Sequence, residues 1–217
     1  MPSIAVIPRR PGRPAKVCAF RLETREALIR YGTEILTEKG FHSTGIDEVL
    51  KHVGVPKGSF YHYFGSKDEF GHAIIDYYAA YFARKLDRWL LDTHRPPLER
   101  IADFVSDAKG GMERHAFRRG CLIGNMGQEL GALHEGFRER LKSVFEDWQD
   151  RMARCLEAAR ADGEIAPDAD CRRLARFFWI GWEGAVLQAK LVRNTSPLDL
   201  FAEKFFAGLP RGTFTAV

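Results

Sequence analysis

GFHSTGIDEVLKHVGVPKGSFYHYFGSKDEF, residues 40–70, reads as two short helices around a tight turn, followed at once by the capped start of a longer helix. Thr44 or Gly45 opens the first, and Asp47 and Glu48 place carboxylates at the positive end of its dipole. Ile46, Val49, Leu50 and Val53 give it one apolar face at helical spacing. Gly54 stops it, because glycine takes the left-handed conformation that ends helices. Pro56 stands where a new helix begins, and that short helix, from about Lys57 to Tyr63, carries Lys57, Ser59, Tyr61, His62 and Tyr63. Ser66 followed by Glu69 forms a capping box for the next helix.

Two short helices around a glycine-containing turn make a helix-turn-helix, whose second helix can enter the major groove of DNA. Lys57 and Ser59, in the first turn of that helix, are placed to reach base edges, and Gly58 lets the backbone come close. VGVPKGSFYHYFGSKDEF resembles the recognition-helix signature of the tetracycline-repressor-type (TetR) family of bacterial transcription regulators, in a match running from about Thr24 to Phe70. That resemblance implies that Tyr61, His62 and Lys67 hold phosphates. Thr44 adds an N–H and a hydroxyl at a helix start. Phe60, Tyr63 and Phe64 are expected to pack this helix onto its neighbours, and a packed aromatic with a wet hydroxyl is the competing reading for Tyr61.

The charge is divided to match. The chain of 217 residues carries +4 overall; residues 1–67 hold 11 Lys/Arg against 6 Asp/Glu, and the remainder holds 22 against 23. The basic excess therefore travels with the helix-turn-helix, as expected of an end that meets phosphates. Residues 1–20 read as a flexible basic arm, with prolines at 2, 8, 11 and 14. Its Gly12-Arg13-Pro14 core resembles an AT-hook that would lay Arg13 in the minor groove; the competing reading is a tail attracted only diffusely.

The expected architecture is all-α: the arm, a helix-turn-helix DNA-binding domain over 21–67, and a helical effector-binding and dimerisation domain over 68–217. A first helix from about Thr24 to Lys39 turns Leu28, Tyr31, Gly32, Ile35 and Leu36 inward. A long connecting helix, 67–91, buries Phe70, Ile74, Tyr77, Tyr78, Tyr81, Phe82 and Leu86. After the break at His94-Arg95-Pro96-Pro97, apolar spacing predicts helices over 97–114, 121–131, 135–161, 170–192 and 197–206. Gly181, Gly184 and Ala185 put small residues on one face of the fourth of these. The family resemblance implies that the last long helices pair across a two-fold axis, making a homodimer.

Cys18, Cys121, Cys155 and Cys171 form no C-x-x-C pair, which argues against a zinc site and a disulfide framework. The longest strongly apolar run, Phe177 to Trp182, is far below membrane-spanning length, so a cytoplasmic protein without membrane attachment is expected. No P-loop, dinucleotide fingerprint, H-E-x-x-H or paired acid–base constellation points to an enzyme, a metal or a cofactor.

RRGCLIGNMGQELGAL (118–133) and FWIGWEGAVLQAKL (178–191) resemble a branch of TetR regulators that answer acrylate-type compounds or reactive electrophiles. In electrophile-sensing members a cysteine and a lysine in these two segments form a redox-sensitive pair, and the matching residues are Cys121 and Lys190. A cysteine at a helix start beside Arg118 and Arg119 is expected to have thiolate character. The competing readings are a small buried Cys121 with a surface Lys190, or a reversible pocket. Such a pocket would be lined by Trp179, Trp182, Phe117, Trp148 and Met126, with polar contacts from Asn125, Gln128, Glu183 and Lys190. The closer likeness over GCLIGN and FWIGWEGA favours a small unsaturated acid, or its thioester, as effector.

Overall fold

The computed structural model describes residues 15–211, with side chains from residue 23, and the described residues form helices joined by turns and loops, with no strand among them. Arg13 and the Gly-Arg-Pro core lie outside the described residues.

Helix α1 spans Ala15–Lys39 and therefore begins earlier than the Thr24 expected, taking in part of the stretch read as an arm. Leu28 and Leu36 on its inner face are fully buried, and Gly40, at φ 87°, ends it. Helix α2 (Ile46–Val53) is closed by Gly54 at φ 73°, and a 3₁₀ turn, Lys57–His62, follows Pro56. The second element of the helix-turn-helix is thus a tight 3₁₀ turn rather than an α-helix. Phe60 and Phe64 are buried against Phe70, while the Tyr31 ring stacks on His52 at 3.5 Å to tie α1 to α2.

Helix α3 (Lys67–Leu90) starts at the expected cap, where the Ser66 hydroxyl accepts from Glu69 N at 3.0 Å and the Glu69 carboxylate accepts from Gly65 N at 2.7 Å. Gly71 of α3 is a close-approach position: a methyl there would come within 2.7 Å of the Phe41 ring and 2.9 Å of Phe137.

The second unit is α4 (Pro97–Arg114), α5 (Leu122–Leu130), α6 (Glu135–Ala161), α7 (Cys171–Val192) and α8 (Ser196–Ala207). Helix α6 packs on both α3 and α7 through a stripe of Phe137, Leu141, Val144, Trp148, Met152, Leu156 and Ala159 that is buried, with Phe145 half-buried beside it. Trp148, Trp179, Phe104 and Phe178 form the centre of this core, with ring centroids 5–6.3 Å apart.

The small-residue face of α7 divides. A methyl at Gly181 would stand 2.2 Å from the Phe201 ring, so this glycine admits α8, and Ala185 is buried. Gly184 faces open space instead, alongside exposed Phe177, Ile180, Leu187 and Leu191. None of the described helices is long and apolar enough to cross a membrane.

Candidate DNA-binding and effector sites

At the helix-turn-helix, Lys57, Gly58, Tyr61 and His62 are exposed and Ser59 is half-buried. Tyr61 is 69% exposed, an arrangement that packing does not require of an aromatic ring. The Lys57 ammonium rests on Asp47 Oδ2 at 2.5 Å, which raises its pKa, but both partners are largely in water and the pair is readily exchanged for another anion. A side chain at Gly58 would meet nothing within 4 Å, so this face of the turn is open.

Two expected contacts take a different form. The Thr44 hydroxyl is buried and donates to Gly40 O at 2.7 Å, so it stitches the loop rather than facing outward. Lys67 is half-buried, its ammonium 4.7 Å from the Phe41 ring centroid, and burial lowers its pKa. Both residues shape the unit from beneath.

A cavity of about 360 Å³ opens where the two units meet. Arg30, Thr33, Glu34 and Thr37 of α1 form one wall; Tyr77, Tyr78, Tyr81, Phe82 and Lys85 of α3 form the next. Arg114, His115 and Arg119 stand around it, and Cys121, Trp182, Glu183 and Val186 close it. Between α4 and α5, Ala116 and Phe117 both take left-handed backbone, at φ 50° and 56°, a costly turn that carries the chain past His115 and Arg119.

Of the residues expected to hold an effector, Cys121, Trp182 and Glu183 line this cavity. Trp148 and Trp179 do not; both are core, because the aromatic stripe of α6 meets α7 face on. Asn125 is used structurally, donating to Thr37 O at 3.0 Å, and Gln128 faces solvent. Met126 is fully buried and Phe117 packs on the core. Lys190 lies outside the cavity, with its aliphatic stem over Gly120, beside Cys121 in the chain.

Sequence reasoning missed the wall from α1 and assigned Tyr77 and Tyr81 to the core, whereas they are 42% and 49% exposed. The signal was present: three tyrosines within five residues carry more hydroxyl groups than an apolar seam uses.

The thiolate expectation for Cys121 is corrected. Burial, then the neighbouring Glu183 carboxyl, push the thiol well above its usual range, so it is protonated. The arginines that were to activate it are engaged elsewhere or turned away. Arg119 pairs with Glu38 at 2.7 Å and Glu34 at 3.1 Å, and Arg118 is exposed. Cys121 instead caps α5, its sulfur accepting from Gly124 N at 3.4 Å. Opposite it, Glu183 has one oxygen, Oε1, shut away from solvent without a hydrogen-bond partner, and burial pushes its carboxyl up to about 7. A methyl at Gly124 would stand 2.1 Å from the other oxygen, so that glycine makes room for the carboxyl group.

The segment leading from the cavity is fastened to the DNA-binding unit at three points. Arg119 holds Glu34 and Glu38, Asn125 holds the Thr37 carbonyl, and Glu129 accepts from Phe41 N and His42 N, each at 2.9 Å. Cys121, Asn125 and Glu129 follow at four-residue intervals, so one edge of α5 runs from the cavity to the loop that feeds α2. Among the described residues no cluster of side chains is arranged to hold a metal ion.

An exposed basic and aromatic helix-turn-helix joined to a second helical unit, with a cavity open between them, defines a class: a DNA-binding regulator with a sensing domain. Residues 28–74 match the family described as bacterial regulatory proteins, tetR family, and residues 97–205 match the tetracyclin repressor-like C-terminal domain. The chain belongs to the TetR family of transcriptional regulators, whose members bind DNA, dimerise and bind small-molecule effectors.

It is 52% identical over 204 residues to the transcriptional regulator AcuR of Cereibacter sphaeroides, covering 94% of this chain and 92% of that one. It is 30% identical over 177 residues to the transcriptional repressor NemR of Escherichia coli K12, covering 82% and 89%. Among solved structures, the regulatory protein TetR from Rhodobacter sphaeroides superimposes with a TM-score of 0.82 at 52% identity, over 86% of this chain and 98% of that one. The reduced form of E. coli NemR gives 0.80 at 28% identity, over 88% and 99%.

Proposed function

We propose that the protein is a repressor that binds a roughly palindromic operator as a homodimer and leaves it when a small-molecule effector occupies the cavity. One observation carries this reading: α1 braces the helix-turn-helix and also forms a cavity wall through Arg30, Thr33, Glu34 and Thr37. An occupant therefore touches the DNA-binding unit itself. The 31% identity to the repressor DhaR of Mycobacterium sp. strain GP1, and the likeness to NemR, support repression as the mode of control.

Dimer formation is supported by the stripe of Phe177, Ile180, Leu187 and Leu191 on α7, exposed at seven-residue rhythm around Gly184, where another helix can come close. Two copies joined there present two recognition turns to successive grooves. Lys57 and Ser59 read bases; Tyr61 and His62 grip phosphates.

The effector class that fits is a small unsaturated acid or its thioester. Arg30 and Arg114 line the cavity without an ion pair among the described residues, which suits a carboxylate or other anion. Lys85 and Arg119 are occupied, by Asp107 at 2.8 Å and by Glu34 and Glu38. The connecting helix α3 lines the cavity and acts as a lever between the two units, and α5 supplies a second route through Asn125 and Glu129. By linkage the effector favours the DNA-incompetent arrangement, and DNA weakens effector binding by the same factor.

The test is titration of purified protein onto its own upstream intergenic DNA by fluorescence anisotropy, with and without acrylate, for wild type and Cys121→Ser. Release from both proteins supports a reversible pocket. Release by acrylate from wild type alone makes Cys121 essential to sensing, and release from neither removes the effector class.

A further inference from the structure

The cavity is electrostatically two-ended. Arg30, Arg114 and His115 are exposed at its rim, whereas its floor holds the Cys121 thiol, the Trp182 ring and the Glu183 carboxyl. At about 360 Å³ it holds on the order of a dozen waters at roughly 30 Å³ each, more than a three-carbon acid fills. Two ends and spare length call for a ligand with two different ends.

Glu183 sets what the inner end can be. Its Oε1 is buried without a hydrogen-bond partner, as are the indole nitrogens of Trp148 and Trp179, but of these three only Glu183 lines the cavity, where a ligand can complete the bond. No cation neutralises it. From α5 it faces the Cys121 thiol; from α3, Tyr78 is the neighbouring hydroxyl, and the Lys85 ammonium is held by Asp107. From α1 and the turn after α4 come Glu34 and Arg119, paired with one another, with Arg30, Arg114 and His115 out at the rim. A carboxyl group with one oxygen shut from solvent and no counter-ion favours its neutral form, and a neutral carboxyl has a proton to donate.

Resting on the effector site proposed above, we infer that Glu183 is its specificity residue: as a neutral acid it donates to an uncharged carbonyl at the inner end of the ligand, while the rim arginines hold an anionic group at the outer end. The ligand class is an acyl compound such as an ester, amide or thioester that bears its negative charge at the far end. A free carboxylate is disfavoured at the floor, because its charge would be desolvated with no cation beside it, so a small acid such as acrylate is held by the rim arginines alone and more weakly. Cationic ligands are rejected at the rim.

The test uses unreactive probes, so that Cys121 takes no part. Binding of monomethyl adipate and of adipate to the full-length protein is measured by isothermal calorimetry, without DNA, at pH 6 and pH 8. For wild type at pH 6 the monoester is expected to bind about tenfold tighter than the diacid. With the Glu183 carboxyl at about 7, monoester affinity falls about tenfold by pH 8, as the donor proton is lost. Glu183→Gln keeps a donor that does not titrate, so it retains monoester binding and flattens the profile; the rim is common to both proteins and cancels in that comparison.

The inference is overturned if the diacid binds as tightly as the monoester, if the Gln variant keeps the wild-type slope, or if neither probe binds. Separate anisotropy with operator DNA keeps the two readings apart. Monoester binding of the expected kind without DNA release would sink the repressor reading and leave Glu183 standing. Acrylate release of DNA without discrimination between the probes would do the reverse.

Discussion

Replacing Glu129 with alanine should uncouple the two ends of the molecule more than it weakens either. The carboxylate accepts from Phe41 N and His42 N at 2.9 Å and lies 3.2 Å from His42 Nδ1, all across the junction between α5 and the loop into α2. A hydrogen bond to a charged group contributes about 1.5–3 kcal/mol, and the site is partly wet, so about 2–4 kcal/mol of stability is expected to go with the two backbone bonds. The loop keeps its other supports: Gly40 N on Leu36 O at 2.9 Å, and the Thr44 hydroxyl on Gly40 O. Operator affinity without effector should therefore change little, while the ratio of affinities with and without effector shrinks. Glu129→Gln, which keeps one acceptor, should fall between. Urea unfolding gives the stability, and paired anisotropy titrations give the ratio. An Ala variant that loses the stability yet keeps the full effector response would refute the claim that this contact transmits the signal.

Three further outcomes are expected. Lys57→Ala with Tyr61→Ala should abolish specific operator binding while leaving the melting temperature close to wild type, because both side chains are exposed; unchanged binding in a gel-shift assay would refute the assignment of this face. Ile180→Glu should yield monomers by sedimentation velocity, since its side chain is 66% exposed within an apolar stripe; a persisting dimer would place the interface elsewhere. The Glu183 carboxyl is raised from 4.5 to about 7, so the folded chain holds its proton across a window in which the unfolded chain has lost it. Stability should fall as pH rises from about 4.5 to 7, by about 3 kcal/mol from this group at 1.36 kcal/mol per unit, and level off above. Glu183→Gln should remove that loss in urea melts at pH 5 and pH 8; an identical pH slope in wild type and variant would contradict the buried-acid reading.

Local signals carried much of the fold. Gly54 after an apolar stripe, Ser66 with Glu69, and the periodicity of α6 each act within a turn or two, so helix boundaries followed from neighbouring residues alone. The start of α1 did not, because the prolines at 2, 8, 11 and 14 give the whole stretch to residue 20 the composition of an arm, although the helix begins at Ala15. Nor does apolar spacing tell a 3₁₀ turn from a short α-helix at Lys57–His62. The cavity was legible only in part: the Cys121 and Trp182-Glu183 segments stood out, yet Trp148 and Trp179 look the same in sequence as cavity-lining aromatics. Which side of a helix meets a void depends on how α1, α3 and α5 stack, a long-range property that no local pattern records. The Glu129 anchor was invisible for the same reason, since its partners lie 87 and 88 residues away.

The most direct test of the whole account is an anisotropy titration of the protein onto a labelled duplex from its upstream intergenic region, in rising acrylate. Saturable binding with two chains per duplex, followed by complete release as acrylate rises, is the predicted result. Binding that acrylate leaves untouched, or no preference for this duplex over an unrelated one, would contradict it.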